Sequence, residues 1–376
     1  MKKIILSATA VLMISSLALG QGSRMGTASA TQLQIVQGAR YLAGGGAVAN
    51  AVGMDAVFWN PAGLARTENS VDAIFSNRQY IAGIQNNFFG VAVDFLGMKT
   101  GVSVRTFDIG DIDETTAFFP DGTGQVFTPN FSILGATAAR KLSDNTSVGI
   151  NVNFVRESFG RVSANATAFD LGVQYQGLFG MENLDVGFAL KNFGQPMQYG
   201  GEGLGVLATA QNGDRPVEYY KVDAASFDLP FTFDMGLTYN IAGANLGLTF
   251  TSNYYATDEI KAGASYDIGN LASVAVGFQT SLVAKEQGPL GKGLAAVDAV
   301  NSDWYVKPFD GLSFGGSLNL QSLIGMNMSV DFAMIPAGDF GTNQVLAMRM
   351  GFEITLNLYQ KRAGYTCPFL FLTASN

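Results

Sequence analysis

Val345-Leu346-Ala347-Met348-Arg349-Met350-Gly351-Phe352-Glu353-Ile354-Thr355-Leu356-Asn357-Leu358-Tyr359 alternates without a break. Its even positions are Leu346, Met348, Met350, Phe352, Ile354, Leu356 and Leu358, and its odd ones include Arg349, Gly351, Glu353, Thr355 and Asn357. Successive side chains of a strand point to opposite faces, so this reads as a strand with one face in lipid and one in a polar interior. A half-buried strand of a soluble sandwich alternates too, but seldom past about eight residues. Leu229 to Asn240 and Met326 to Met334 repeat the pattern.

Working outward, segments of this kind predict about fourteen strands. They centre on Val71–Ser76, Asn86–Phe95, Thr100–Phe107, Thr128–Arg140, Thr146–Glu157, Ala166–Gln176, Leu184–Asn192, Leu229–Asn240, Asn245–Asn253, Glu259–Asp267, Leu271–Thr280, Gly311–Leu320, Met326–Met334 and Val345–Tyr359. An even number fits a single-chain bacterial barrel. Tight connections fall at Leu96–Lys99, Leu142–Asn145, Ile241–Ala244 and Ile268–Asn270, and long ones at Asp108–Phe127, Phe193–Asp228 and Ser281–Asp310. If the first strand rises from the periplasm, every tight turn lies below and every long loop above. That is the asymmetry of outer-membrane barrels.

Composition agrees. Only 14% of the 376 residues are charged, against roughly 25% in soluble domains. Past the leader no apolar run approaches the roughly 18 residues of a spanning helix. An apolar chain without such helices still enters a bilayer as a closed barrel, where every backbone group pairs between strands. Lys2 and Lys3 before an apolar run from Ile4 to about Leu19 read as a signal peptide cut near Gly20. The chain carries 22 basic and 30 acidic residues, a net charge of −8 that becomes −10 without the leader. Nucleic acid, which needs basic patches, is excluded as a partner.

Between leader and barrel lies Gly38 to Ala65, rich in Gly and Ala, with Arg40 and Asp55 near its two ends and Phe58-Trp59-Asn60-Pro61 toward its close. Asn60 suits a helix N-cap and Pro61 the first helical position, predicting a short helix from about Pro61 to Ala65. So few long side chains predict a segment packed against other backbone, a plug in the lumen. The division is then 1–20 signal peptide, 21–68 plug, 69–360 all-β transmembrane antiparallel barrel and 361–376 tail.

The run Gly45-Gly46-Ala47, Asp55-Ala56 and Asn60-Pro61-Ala62-Gly63-Leu64-Ala65, with Gly26-Thr27, Ala30, Leu33 and Ile35 upstream, resembles the N-terminal signature of the PorV/PorQ outer-membrane proteins, themselves similar to the FadL group. Met54 stands where that family often has a second acid, and Ala43 where a Met is common. The resemblance covers about forty residues. It implies a component of type IX secretion that holds or shuttles exported proteins through its external loops. Its FadL side implies instead passage of hydrophobic small molecules past the plug, with Arg40, Asp55, Phe58, Trp59, Asn60 and Pro61 along the route. For Phe58 and Trp59, simple packing of the plug against the wall is the plainer reading.

The chain has no histidine and a single cysteine, Cys367. His-dependent triads, His-zinc sites and intrachain disulfides are therefore ruled out. The inward acids Asp94, Asp170, Asp185, Asp234, Asp267, Asp331 and Glu353 form no motif and read as a wetted lumen balanced by Arg105, Lys191, Lys261 and Arg349. The acids of Asp108–Glu114 lack EF-hand spacing and read as a solvated external loop on which Ile109 and Ile112 dock. No catalytic residue, metal or cofactor is predicted; the partners are outer-membrane lipid with exported proteins or hydrophobic molecules.

Overall fold

A computed structural model describes residues 26–208, 218–282, 309–321 and 325–353. Fourteen antiparallel strands close on themselves: β1 Val71–Gln79, β2 Gln85–Phe95, β3 Met98–Asp108, β4 Asn130–Lys141, β5 Thr146–Phe159, β6 Val162–Tyr175, β7 Leu184–Gly194, β8 Thr232–Ile241, β9 Ala244–Asn253, β10 Asp258–Ile268, β11 Ala272–Leu282, β12 Gly311–Asn319, β13 Met328–Pro336 and β14 Thr342–Phe352. Each strand pairs with its sequence neighbour, and β1 pairs with β14 from Val71–Phe352 to Gln79–Gln344. Closure leaves no barrel strand with a free edge, the condition for backbone to survive in hydrocarbon.

Each expected strand centre falls on an observed strand. The alternation sets the faces: in β14, Leu346 and Phe352 are exposed on the outside while Val345 and Ala347 are buried. The predicted last strand runs past Phe352, and its residues from Ile354 onward lie outside the described residues. So do the expected signal peptide, the tail with Cys367, and the central parts of the two longest loops.

We call the end where β1 begins the lower end. The lower turns are short. Leu96-Gly97 and Ala242-Gly243 both take two consecutive positive φ values, the backbone of two-residue hairpins whose twist matches the strands. The longest loops all lie at the upper end, but short connections occur there too: 80–84, 254–257, 337–341 and, shortest, the turn after β5. β5 and β6 join at the upper end through Gly160-Arg161 alone, Phe159 pairing with Val162. The first four residues of β6, 162–165, extend the strand beyond the alternation centred on Ala166–Gln176. In the β3–β4 loop Ile109 lines the recess at the upper end, but Ile112, laddered with Phe127, is 41% exposed rather than docked. The loop acids act as acceptors within it: Asp108 from the Gly110 N–H at 3.1 Å and Glu114 from the Thr123 hydroxyl at 3.1 Å.

Candidate functional site

Residues 30–66 lie inside the barrel. They are too poor in long side chains to build an amphipathic helix, and they form only short turns of helix: Thr31–Gln34, Ala47–Asn50, Gly53–Asp55, Ala56–Trp59 and Pro61–Arg66. The last begins as its sequence predicts, with the Asn60 side chain accepting from the Ala62 N–H at 3.2 Å and Pro61 in the first turn.

The wall receives this segment on glycine. Seven consecutive strands, β5 to β11, each offer one: Gly149, Gly172, Gly187, Gly236, Gly247, Gly263 and Gly277. A Cβ on Gly187 would sit 2.0 Å from the Val48 carbonyl oxygen, on Gly277 2.1 Å from that of Ala43, and on Gly172 2.0 Å from Asn60 Oδ1. Gly45 reciprocates, with φ near +71° and its missing Cβ 2.4 Å from the Gly263 nitrogen. Plug backbone thus touches wall backbone over half the circumference. Sequence reasoning missed this belt, although a glycine inside a strand is the standard sign of close backbone approach.

Irregular backbone at membrane depth needs donors and acceptors from its surroundings. Wall side chains supply them. Thr249 Oγ1 donates to the Gly45 carbonyl at 2.6 Å, Thr238 Oγ1 to Gly46 at 3.2 Å, and Gln174 Nε2 to Val48 and Ala51 at 3.2 and 3.1 Å. Asn60, fully buried, donates to Val48 at 2.8 Å and to the wall carbonyls of Val173 at 3.0 Å and Phe188 at 3.3 Å. Beside it the β6–β7 ladder carries a bulge. Asn192 there has φ of 60°, and its N–H donates to Asp170 Oδ1 at 2.7 Å.

Asp55 meets Arg349. The guanidinium donates to Asp331 through Nε at 2.7 Å and Nη2 at 3.2 Å, to Ser329 at 2.8 Å, and ion-pairs with Asp55 at 3.1 Å. Asp331, Asp234 and Asp170 are buried, which corrects the expectation of a wetted lumen for these three, packed among the plug and two apolar clusters around Leu33 and Met54; Asp94, Asp267 and Glu353 are exposed. Lys191 pairs with Asp234 at 2.7 Å.

Burial pushes the Asp55 carboxyl up to about 7; Arg349 opposes the rise and Asp331 adds to it. An acid whose pKa is raised on folding holds its proton more tightly when folded, so its stabilisation is full below its ordinary 3.8 and is lost as pH climbs through 7. We expect a higher melting temperature at pH 5 than at pH 8, by circular dichroism in detergent, with Asp55→Asn flattening the difference. An equal slope in both proteins would refute this.

The remaining residues singled out in the sequence scatter. Phe58 and Trp59 stack edge to face at 5.4 Å, with Lys191 over Phe58 at 4.7 Å and Lys261 over Trp59 at 5.6 Å. Pro61 lies against Gly149. Arg40 is exposed and borders a lower recess with Asp267, Asn270 and Asn319.

A second recess, of about 450 Å3, opens at the upper end. Its floor is Thr31 to Val36 of the plug, and its walls include Tyr80, Ile81, Ile84, Phe107, Ile109, Phe131, Phe309 and Ile335. Tyr80 stacks on Phe309 at 5.8 Å. Arg78 is 4% exposed and donates to the Val36 carbonyl at 3.1 Å, but its Nε has no hydrogen-bond partner. None of the six residues expected along a route lines this recess. The floor segment mixes Thr and Gln with Ile, without a pattern that sequence could flag. The gap descending from the recess past Ala43 and Gly45 measures only about 20 Å3, room for about one water molecule.

The fold is that of known barrels. The Ralstonia pickettii toluene transporter TbuX superposes with a TM-score of 0.51 at 14% identity, covering 83% of this chain and 97% of that one. The Pseudomonas putida toluene transporter TodX (TM-score 0.49, 12% identity, 84% and 99% covered) and a Pseudomonas aeruginosa FadL homologue (0.48, 13%, 87% and 98%) are also similar. No family model matches the chain, and no curated protein matches its sequence. At such identities the likeness speaks for the fold alone: a closed antiparallel barrel like that of TbuX.

Proposed function

We propose that this chain is an outer-membrane barrel that admits hydrophobic small molecules through a plugged lumen, without catalysis. The observation that carries the reading is the upper recess, floored by the plug, walled mainly by apolar side chains with the Glu259–Lys261 ion pair and Gln279 on one side, and holding one buried guanidinium with a free N–H. Its volume lies within the roughly 300–1,000 Å3 of small-molecule sites. Arg78 would favour an apolar molecule bearing one hydrogen-bond acceptor, since a buried donor left unmet costs about 1–3 kcal/mol. The plug, residues 21–68 by the sequence division, serves as the seal, and passage requires it to yield. The likeness of fold to the toluene transporter TbuX supports this reading over the exported-protein role implied by the PorV/PorQ resemblance.

Titration calorimetry of the detergent-solubilised protein with toluene and with an aromatic alcohol tests it. The alcohol should bind more tightly, and Ile84→Asn should weaken both about tenfold, or roughly 1.4 kcal/mol. Absence of binding by the unaltered protein, with exported proteins recovered from solubilised membranes instead, would replace transport with the secretion role.

A further inference from the structure

The outer wall carries a groove of about 640 Å3 that the transport reading does not use. Register places Ala138, Ile150, Leu171, Leu190 and Phe233 in one line across five strands, each paired with the next. All five face away from the lumen, and the line borders the groove. Ala138 is near the lower end of β4 and Phe233 near the upper end of β8, so the line climbs the barrel obliquely. Arg140, two residues below Ala138 on the same face, stands at its foot. It is exposed and has no ion-pair partner among the described residues.

We propose that this groove binds one acyl chain of an anionic phospholipid of the lower leaflet, with its phosphate on Arg140. Apolar side chains along an inclined track match an extended chain. An exposed cation without an ion-pair partner among the described residues, at the lower rim of the groove, matches a negative headgroup, and charge complementarity there is worth about fivefold per basic residue. Small Ala138 leaves the entrance open where a larger side chain would close it. The inference rests on the membrane reading of the barrel but not on transport.

Native mass spectrometry of the purified full chain with equal phosphatidylglycerol and phosphatidylethanolamine tests it. The unaltered protein should retain phosphatidylglycerol about fivefold over phosphatidylethanolamine. Arg140→Gln should bring that ratio close to one, and Ala138→Trp should lower retention of both lipids. An unchanged ratio in Arg140→Gln overturns the proposal. Displacement of the lipid by toluene also overturns it, assigning the groove to transported ligand. Flotation of the same protein with vesicles reports insertion separately, so its loss would count against the membrane reading itself.

Discussion

Gly187→Val will unseat the plug and make the barrel leak. Its new Cβ would stand 2.0 Å from the Val48 carbonyl oxygen and 2.8 Å from the Ala49 Cα. Both are backbone, so neither side has a rotamer with which to escape. Overpacking of this kind costs roughly 1–3 kcal/mol even where side chains can shift. Gln174 and Asn60 both donate to the same Val48 carbonyl, and both bonds would be strained with it. In liposomes the unaltered protein should hold back a small sugar, whereas the variant should release it at least about tenfold faster. Gly316→Val is the control. Gly316 pairs with the outward-facing Val274, and a Cβ there meets nothing nearer than 3.5 Å. Equal leakage from the two variants would show that the belt does not hold the plug.

Arg349→Met should cost about 3–5 kcal/mol, because removing one partner strands buried charge. Asp55 and Asp331 are 3% and 0% exposed, and Arg349 bridges plug to wall through both. Adding Asp55→Asn and Asp331→Asn to that variant should restore most of the loss, since neutral groups are far cheaper to bury. Urea unfolding in detergent measures both. If Arg349→Met costs no more than an exposed substitution, or the added changes recover nothing, the cluster does not tie plug to wall.

The strands were legible because lipid imposes a strict two-sided alternation, as Leu346 to Phe352 displays. The plug was legible in its scarcity of long side chains and in Asn60-Pro61, whose capping needs only local chemistry. What stayed hidden depends on partners far apart in sequence. Asp55 and Arg349 are separated by nearly the whole chain, and neither stretch announces the other. Gly187 and Gly263 lie in good strands and look like weak points until the backbone opposite each is known. Val162-Ser163-Ala164-Asn165 at the start of β6 lacks a marked apolar face, so its pairing with β5 alone specifies it. The upper recess gathers residues from the plug, the β1–β2 and β3–β4 loops, and strands β1, β3, β4, β10, β11 and β13, a convergence that no single segment encodes.

The leading segment threads the cylinder from mouth to mouth. The Gly26 N–H binds the Tyr255 carbonyl above, and Val71 departs from below. The seam between residues 71–79 and 344–352 joins the two ends of the sheet, the contact with the greatest chain separation and so the slowest to form. A finished cylinder with no free margin offers backbone so tightly cradled no side entrance. The sheet must therefore curl around the leading segment before that last seam zips shut.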